Sequence, residues 1–170
     1  MLIISQADNW VGPVTKHEQL LASTEMQTDL ADYWHDVDTA WGTKAGSYYT
    51  DDAVFEAGRL KLEGREAIQR FYSWRQDRGE RTAAHVVTNF RASFDDERGA
   101  VATWYMLLYA ADGAPILPTH PPVRLCRMRD TYRFDEKTQR WLCSYRFWET
   151  LFEGGALLSV PDLTRSVEKA

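Results

Sequence analysis

Residues 123–152 read VRLCRMRDTYRFDEKTQRWLCSYRFWETLF. Two runs dense in aromatic and apolar residues flank the polar hexapeptide DEKTQR at 135–140. An extended segment, a polar turn and a return segment make a hairpin. Pairing symmetrically about that turn sets Cys143 beside Tyr132 and far from Cys126. Both cysteines are therefore expected as reduced, packed thiols.

The same pattern recurs upstream. HVVTNFRASF (85–94) runs to DDERG (95–99), and AVATWYMLLYA (100–110) returns. Between the two hairpins lies DGAPILPTHPP (112–122), whose prolines cannot donate to a ladder. From Glu80 to Phe152 the chain thus reads as four strands. The strand at 100–110 carries Trp104, Met106 and Leu108 on one face and Tyr105, Leu107 and Tyr109 on the other. A one-residue slip chooses between them.

The first half reads differently. Met26, Leu30, Tyr33, Trp34, Val37, Ala40 and Trp41 recur at three- and four-residue steps, which is a buried helical face. Thr24 and Gln27 have the spacing of a capping box and predict a start there. Gly42 can stop this helix, and Thr43 can cap a short second one reaching Tyr48 and Tyr49. SYYTDDAVFEAG (47–58) then leads into a strand, with RLKLEG (59–64) as its partner. A further helix is expected over 65–78, with Ala67, Ile68, Phe71, Tyr72 and Trp74 on its apolar side and Gly79 as its stop. Helices segregated from hairpin-linked strands mean α+β rather than a doubly wound fold. A curved antiparallel sheet wrapped around the long N-terminal helix leaves a cone open at one end, a favoured place for small molecules. Residues 1–22 read as a leader segment, 23–152 as the cone domain and 153–170 as a C-terminal tail.

Composition narrows the function. The 170 residues carry a net charge of −5 with the two signs interspersed, so no basic stripe offers itself to nucleic acid or to an anionic membrane. Neither a membrane span nor a secretory signal is apparent, and a cytoplasmic protein is expected. His17, His35, His85 and His120 are scattered, without a Cys or His partner at zinc-ligand spacing; neither metal nor cofactor is expected. Aromatics make up 13% of the chain, with seven Trp, and that much ring surface is buried or lines a cavity for an apolar ligand.

Four segments resemble a known family. YWHDVDTAWGTKAGSYYTDDAVF (33–55) places a helical Tyr, an Asp five residues later and an acidic turn into a strand. LEGREAIQRFY (62–72) has the glycine, charged residue and Ala-Ile of a helix start. AAHVVTNF (83–90) has a His near a strand head and an Asn four residues on. RDTYRFDEKTQRWLCSYR (129–146) has Trp141 after its turn and Arg146 on its last strand. Together, over roughly residues 20–152, they resemble SnoaL-like proteins of the nuclear-transport-factor-2-like superfamily, nearest in motif to the scytalone dehydratase and bile-acid dehydratase branch. The resemblance implies the α+β cone. It implies function loosely, since this fold carries isomerases, dehydratases, cyclases, hydrolases and binding proteins.

By that resemblance Asp38 and His85 are the catalytic pair. Removing a proton beside a carbonyl needs a base that titrates near neutrality, which suits imidazole. A carboxylate on the other ring nitrogen fixes the tautomer and stabilises the imidazolium. Tyr33, Tyr49, Trp104 and Arg146 are the expected substrate-binding residues. Only one of Tyr48 and Tyr49 can face inward. Arg146 either pairs with an acid such as Asp130 or Glu149 or grips an anionic group. Asn89, on the face expected to carry His85, either orients a substrate or satisfies backbone. Neither face of the 100–110 strand carries an acid, which argues against a two-carboxylate site. His120 belongs to a proline-rich loop, as a surface residue or part of a lid.

The expectation is a cofactor-independent lyase or isomerase of a small hydrophobic aromatic or alicyclic hydroxylated compound. Retro-aldol cleavage of a phenolic compound uses the same proton abstraction. A non-catalytic ligand-binding cone, or a partner resembling an oxygenase small subunit, is the rival from another class. MRDTYRF and SYRFWE form an open sheet face expected to pack on a second copy, as a homodimer or homotrimer.

Overall fold

A computed structural model of the chain describes residues 15–95 and 99–154. Helix α1, Lys16–Ala40, starts nine residues earlier than the Thr24 cap predicts. Thr15 is the N-cap: its Oγ1 accepts from the Glu18 amide at 3.2 Å, while Glu18 Oε2 accepts from the Thr15 amide at 2.9 Å. That reciprocal pair satisfies two orphan donors of the first turn. Thr24 instead donates its hydroxyl to the Leu20 carbonyl at 2.8 Å, an arrangement open to threonine inside a helix. Residues 16–22 are therefore helical; the rest of the expected leader, 1–14, and 155–170 of the tail lie outside the described residues. Ala22, Met26, Leu30, Tyr33 and Trp34 form the buried stripe.

The helix ends in two residues of positive φ, Trp41 at 61° and Gly42 at 69°. Gly42 has a second reason to be glycine, because a Cβ there would stand 2.7 Å from the Tyr72 ring. A 3-10 turn, Ala45–Tyr48, then leads into strand β1, Tyr49–Ala57, and β2, Leu60–Glu63. Its cap position is Lys44 rather than Thr43, whose hydroxyl reaches back to Asp36. Helix α2, Arg65–Gln76, follows, and β3 (Arg81–Phe94), β4 (Gly99–Asp112), β5 (Arg124–Asp135) and β6 (Arg140–Glu153) complete the sheet.

The six strands run in the order β2-β1-β6-β5-β4-β3. All pairs are antiparallel except β1 with β6, which is parallel. Hairpin turns force the other neighbours to reverse direction; β1 and β6 come from opposite ends of the domain, so no turn constrains them. In the last hairpin Cys143 faces Tyr132 as the symmetric pairing predicts, and both cysteines are free and buried. On β4 the inward face is Trp104, Met106 and Leu108. Strand β3 carries a bulge between Thr88 and Arg91, with Asn89 at φ 56°. The extra residue switches the inward positions from odd (Ala83, His85, Val87) to even (Phe90, Ala92, Phe94). Asn89 is thereby left exposed, off the face of His85. No described helix is long and apolar enough to cross a membrane.

Candidate active site

The last turn of α1 meets the first half of β3. Asp38 accepts two hydrogen bonds from one residue: the His85 amide donates to Oδ2 at 2.8 Å, and His85 Nδ1 lies 2.6 Å from Oδ1. A carboxylate only accepts, so Nδ1 carries the hydrogen and Nε2 keeps its lone pair. Nε2 makes no hydrogen bond among the described residues. Strand β3 begins at Arg81, so His85 sits inside the ladder opposite Leu108 rather than at the strand head. The imidazole is stacked on Trp34, centroids 4.0 Å apart and planes 14° from parallel. Burial lowers the His85 pKa below its ordinary 6.5; the Asp38 hydrogen bond and charge oppose that, and the Arg81 cation adds to it. The dyad is largely buried yet reaches solvent, with side-chain exposures of 10% for His85 and 16% for Asp38.

Behind the dyad lies a fully buried polar network. Arg146 donates from Nε and Nη2 to the two oxygens of Asp130, at 2.9 and 2.8 Å. Its Nη1 donates to the Tyr49 hydroxyl at 2.9 Å. Tyr49 donates to Tyr33 at 3.1 Å, and Tyr33 is hydrogen-bonded to Tyr72. Trp104 Nε1 and the Tyr132 hydroxyl both reach Asp130 Oδ2 at 3.0 Å. The guanidinium carbon sits 4.8 Å from the Tyr33 ring centroid, 5.4 Å from those of Tyr49 and Trp104, and 5.8 Å from that of Trp34. Burial works against the charge on Arg146, but Asp130, Tyr49 and Cys143 together oppose it and hold the pKa above the ordinary value. Burial likewise pushes Tyr33, Tyr49 and Tyr72 well above the phenol value, so all three are neutral hydrogen-bonding groups.

The expected residues thus separate into two sets. Asp38 and His85 come together. Tyr33, Tyr49, Trp104 and Arg146 also come together, but as an interlocked base to the cone with at most 3% exposure each. Of the partners open to Arg146, Asp130 is the one it takes, so its fork is occupied and is not free to grip an anion. Tyr49 points inward; Tyr48 sits half-buried under the Arg140 guanidinium. Glu149 pairs with Arg127 on the surface. His120 bonds the neighbouring Pro121 carbonyl and lies 6.3 Å from the Tyr109 ring.

Two participants were read from the sequence as packing only. Trp34, on the helix stripe, forms the wall against His85. Tyr72, on the apolar side of α2, ends the tyrosine chain. Helical spacing identified both as inward, but periodicity does not separate an inward ring that packs from one that presents an N–H or O–H.

A family model for the SnoaL-like domain matches residues 18–146. The chain belongs to the SnoaL-like domain family. Solved relatives agree on the architecture of this SnoaL-like domain. A protein from Catenulispora acidiphila, 25% identical, superposes with a TM-score of 0.65 over 79% of this chain and 94% of that one. The same source provides a complex with S-DNPA, also 25% identical, with a TM-score of 0.63 over 78% of this chain and 95% of that one. A protein from Novosphingobium aromaticivorans, provisionally named a scytalone dehydratase, reaches 0.72 at 14% identity, over 85% of this chain and 94% of that one. At that identity the likeness is one of fold. Among curated proteins, none matches the chain.

Proposed function

We propose that this SnoaL-like domain is a cofactor-independent lyase or isomerase of a small hydrophobic, hydroxylated aromatic or alicyclic compound, with dehydratase-type proton abstraction as its chemistry. The observation that carries the reading is the double acceptance by Asp38 of the His85 amide and Nδ1. It locks one tautomer and leaves Nε2 as an unpartnered base beside an aromatic wall.

In the proposed cycle Nε2 takes a proton from the carbon next to a carbonyl, and the electron pair moves into the conjugated system. The imidazolium is stabilised by the Asp38 carboxylate at Nδ1. The same proton, returned to a β-hydroxyl, releases water; returned to another carbon, it completes an isomerisation. The lowered His85 pKa keeps the imidazole neutral and competent at physiological pH. The S-DNPA complex of the Catenulispora protein supports a small-molecule ligand for this fold. With this reading goes a homodimer or homotrimer assembled through the outer sheet face, where Val86 and Phe147 stand exposed.

The test is a panel of hydroxylated aromatic and alicyclic substrates assayed with wild type, His85→Gln and Asp38→Asn. His85→Gln is expected to lose about 10²–10⁴-fold in kcat, the usual worth of a general base. Asp38→Asn is expected to lose activity with its fold retained. Full turnover by His85→Gln ends the base assignment.

A further inference from the structure

We propose that the indole N–H of Trp34 and the hydroxyl of Tyr72 form the electrophilic pole of the site, donating to the substrate oxygen that gathers negative charge as His85 removes a proton. The inference rests on the reading of His85 as the base and adds the groups that receive the displaced charge.

Two independent hydrogen-bond counts lead here. Trp34 is 3% exposed, and its Nε1 is the buried side-chain nitrogen or oxygen left without a partner among the described residues. Native structures rarely carry such an unmade bond without a use. Its ring lies parallel to the imidazole at 4.0 Å, next to the base. Trp104, the neighbouring inward indole, spends its N–H on Asp130. Trp34 has no such acceptor among the described residues.

The second count concerns the tyrosines. Arg146 only donates, so the Tyr49 oxygen accepts from it and Tyr49 donates on to Tyr33. Three hydroxyls carry three hydrogens, and the links Tyr49–Tyr33 and Tyr33–Tyr72 consume two. One hydrogen is left over. Tyr33 already accepts from Tyr49; if it donates onward, each oxygen accepts once and the surplus hydrogen rests on Tyr72. Each step away from the guanidinium polarises the next hydroxyl, which makes the last one a better donor. The Tyr72 ring packs on Gly42, four residues beyond Asp38 at the end of α1, which brings this end of the chain to the turn of helix that carries the acid. Both groups remain neutral and donate without giving up a proton.

During abstraction the C–H bond breaks and its proton goes to His85 Nε2. Its electrons form a carbon–carbon double bond while the carbonyl π pair moves onto oxygen. The imidazolium is balanced by Asp38, and the oxyanion by the two donors. Preorganised donors at a developing oxyanion are a major source of catalysis.

2-Naphthol tests this directly, because its anion differs in absorbance from the neutral form and its ionisation copies the reaction in leaving the charge on oxygen. The wild type is expected to bind it with a lowered pKa, so that naphtholate appears at a lower pH than for 2-naphthol free in solution. Trp34→Phe and Tyr72→Phe, which keep a ring and lose the donor, are each expected to weaken naphtholate binding about tenfold or more. Binding of naphthalene, which has no oxygen, is expected to stay unchanged in both and reports an intact fold. Wild type binding 2-naphthol without lowering its pKa overturns the proposal, as does naphtholate binding at wild-type strength by either variant. If His85→Gln ionises the ligand as wild type does while both donor variants fail, the base reading falls and the pole stands. If wild type binds neither naphthol nor naphthalene, both fall.

Discussion

At the scale of single residues, His85 is held on three sides: by the Asp38 carboxylate at Nδ1, by the same carboxylate at its own amide, and by the Trp34 ring on its face. The pH dependence follows. The folded protein disfavours the charged imidazole, so the His85 pKa lies below its value of about 6.5 in the unfolded chain. The stability contributed by neutral His85 is complete above about 6.5, where both states hold the neutral ring. It is lost as the pH falls from there towards the folded pKa, because the unfolded chain takes up the proton first. Urea titrations are expected to show wild type losing stability over that window more steeply than His85→Gln. The acid limb of kcat/KM is expected below 6.5 for the same reason. Asp130 makes a different prediction. Asp130→Ala leaves the Arg146 guanidinium buried without its counter-ion, and a loss of about 3–5 kcal/mol is expected in urea denaturation. The exposed pair Arg127–Glu149 is expected to matter by less than about 1 kcal/mol. The dyad was legible in the sequence because His and Asp are scarce on apolar faces and matched a family pattern. The choice of Asp130 for Arg146 was not, since it needs the register of β5 on β6, which sets these two residues opposite each other.

At the scale of elements, local rules placed the helices and strands well and their starts less well. Before residue 30 the sequence holds two threonines with capping-box spacing, Thr15 with Glu18 and Thr24 with Gln27. The second lies next to the apolar periodicity and reads as the start; the first is the cap that forms. Thr15→Ala is therefore expected to cost about 1 kcal/mol in thermal or urea unfolding, and Thr24→Ala to fall within about 0.5 kcal/mol of wild type. Equal effects would contradict the observed helix start. Gly42 was legible as a stop, but its second role, leaving room for Tyr72, depends on α2 folding back over the end of α1. The Asn89 bulge was illegible for a related reason. Period-two alternation has no term for an inserted residue, so the parity switch in β3 shows only in the ladder.

At the scale of the whole molecule, hairpins and helix order were enough to give the α+β class, and the resemblance of four short segments pointed to the SnoaL-like architecture. The parallel contact of β1 with β6 was not readable, because no turn chemistry encodes a pairing between strands about ninety residues apart. The outer sheet face presents Val86 at 46% and Phe147 at 38% exposure amid charged neighbours. Light scattering is expected to report a dimer or trimer, and Val86→Glu with Phe147→Glu a monomer; a monomeric wild type contradicts the assembly. The proposed site is an assembly of distant parts, with its acid on α1, its base on β3, and its donors on α1 and α2. The account depends on those parts holding one tautomer in place. Nitrogen-15 NMR of the His85 ring measures this without any substrate. The account predicts a hydrogen on Nδ1, a bare Nε2 and a pKa below 6.5, with the tautomer preference weakened in Asp38→Asn. A hydrogen on Nε2, or a pKa at or above 6.5, would contradict it.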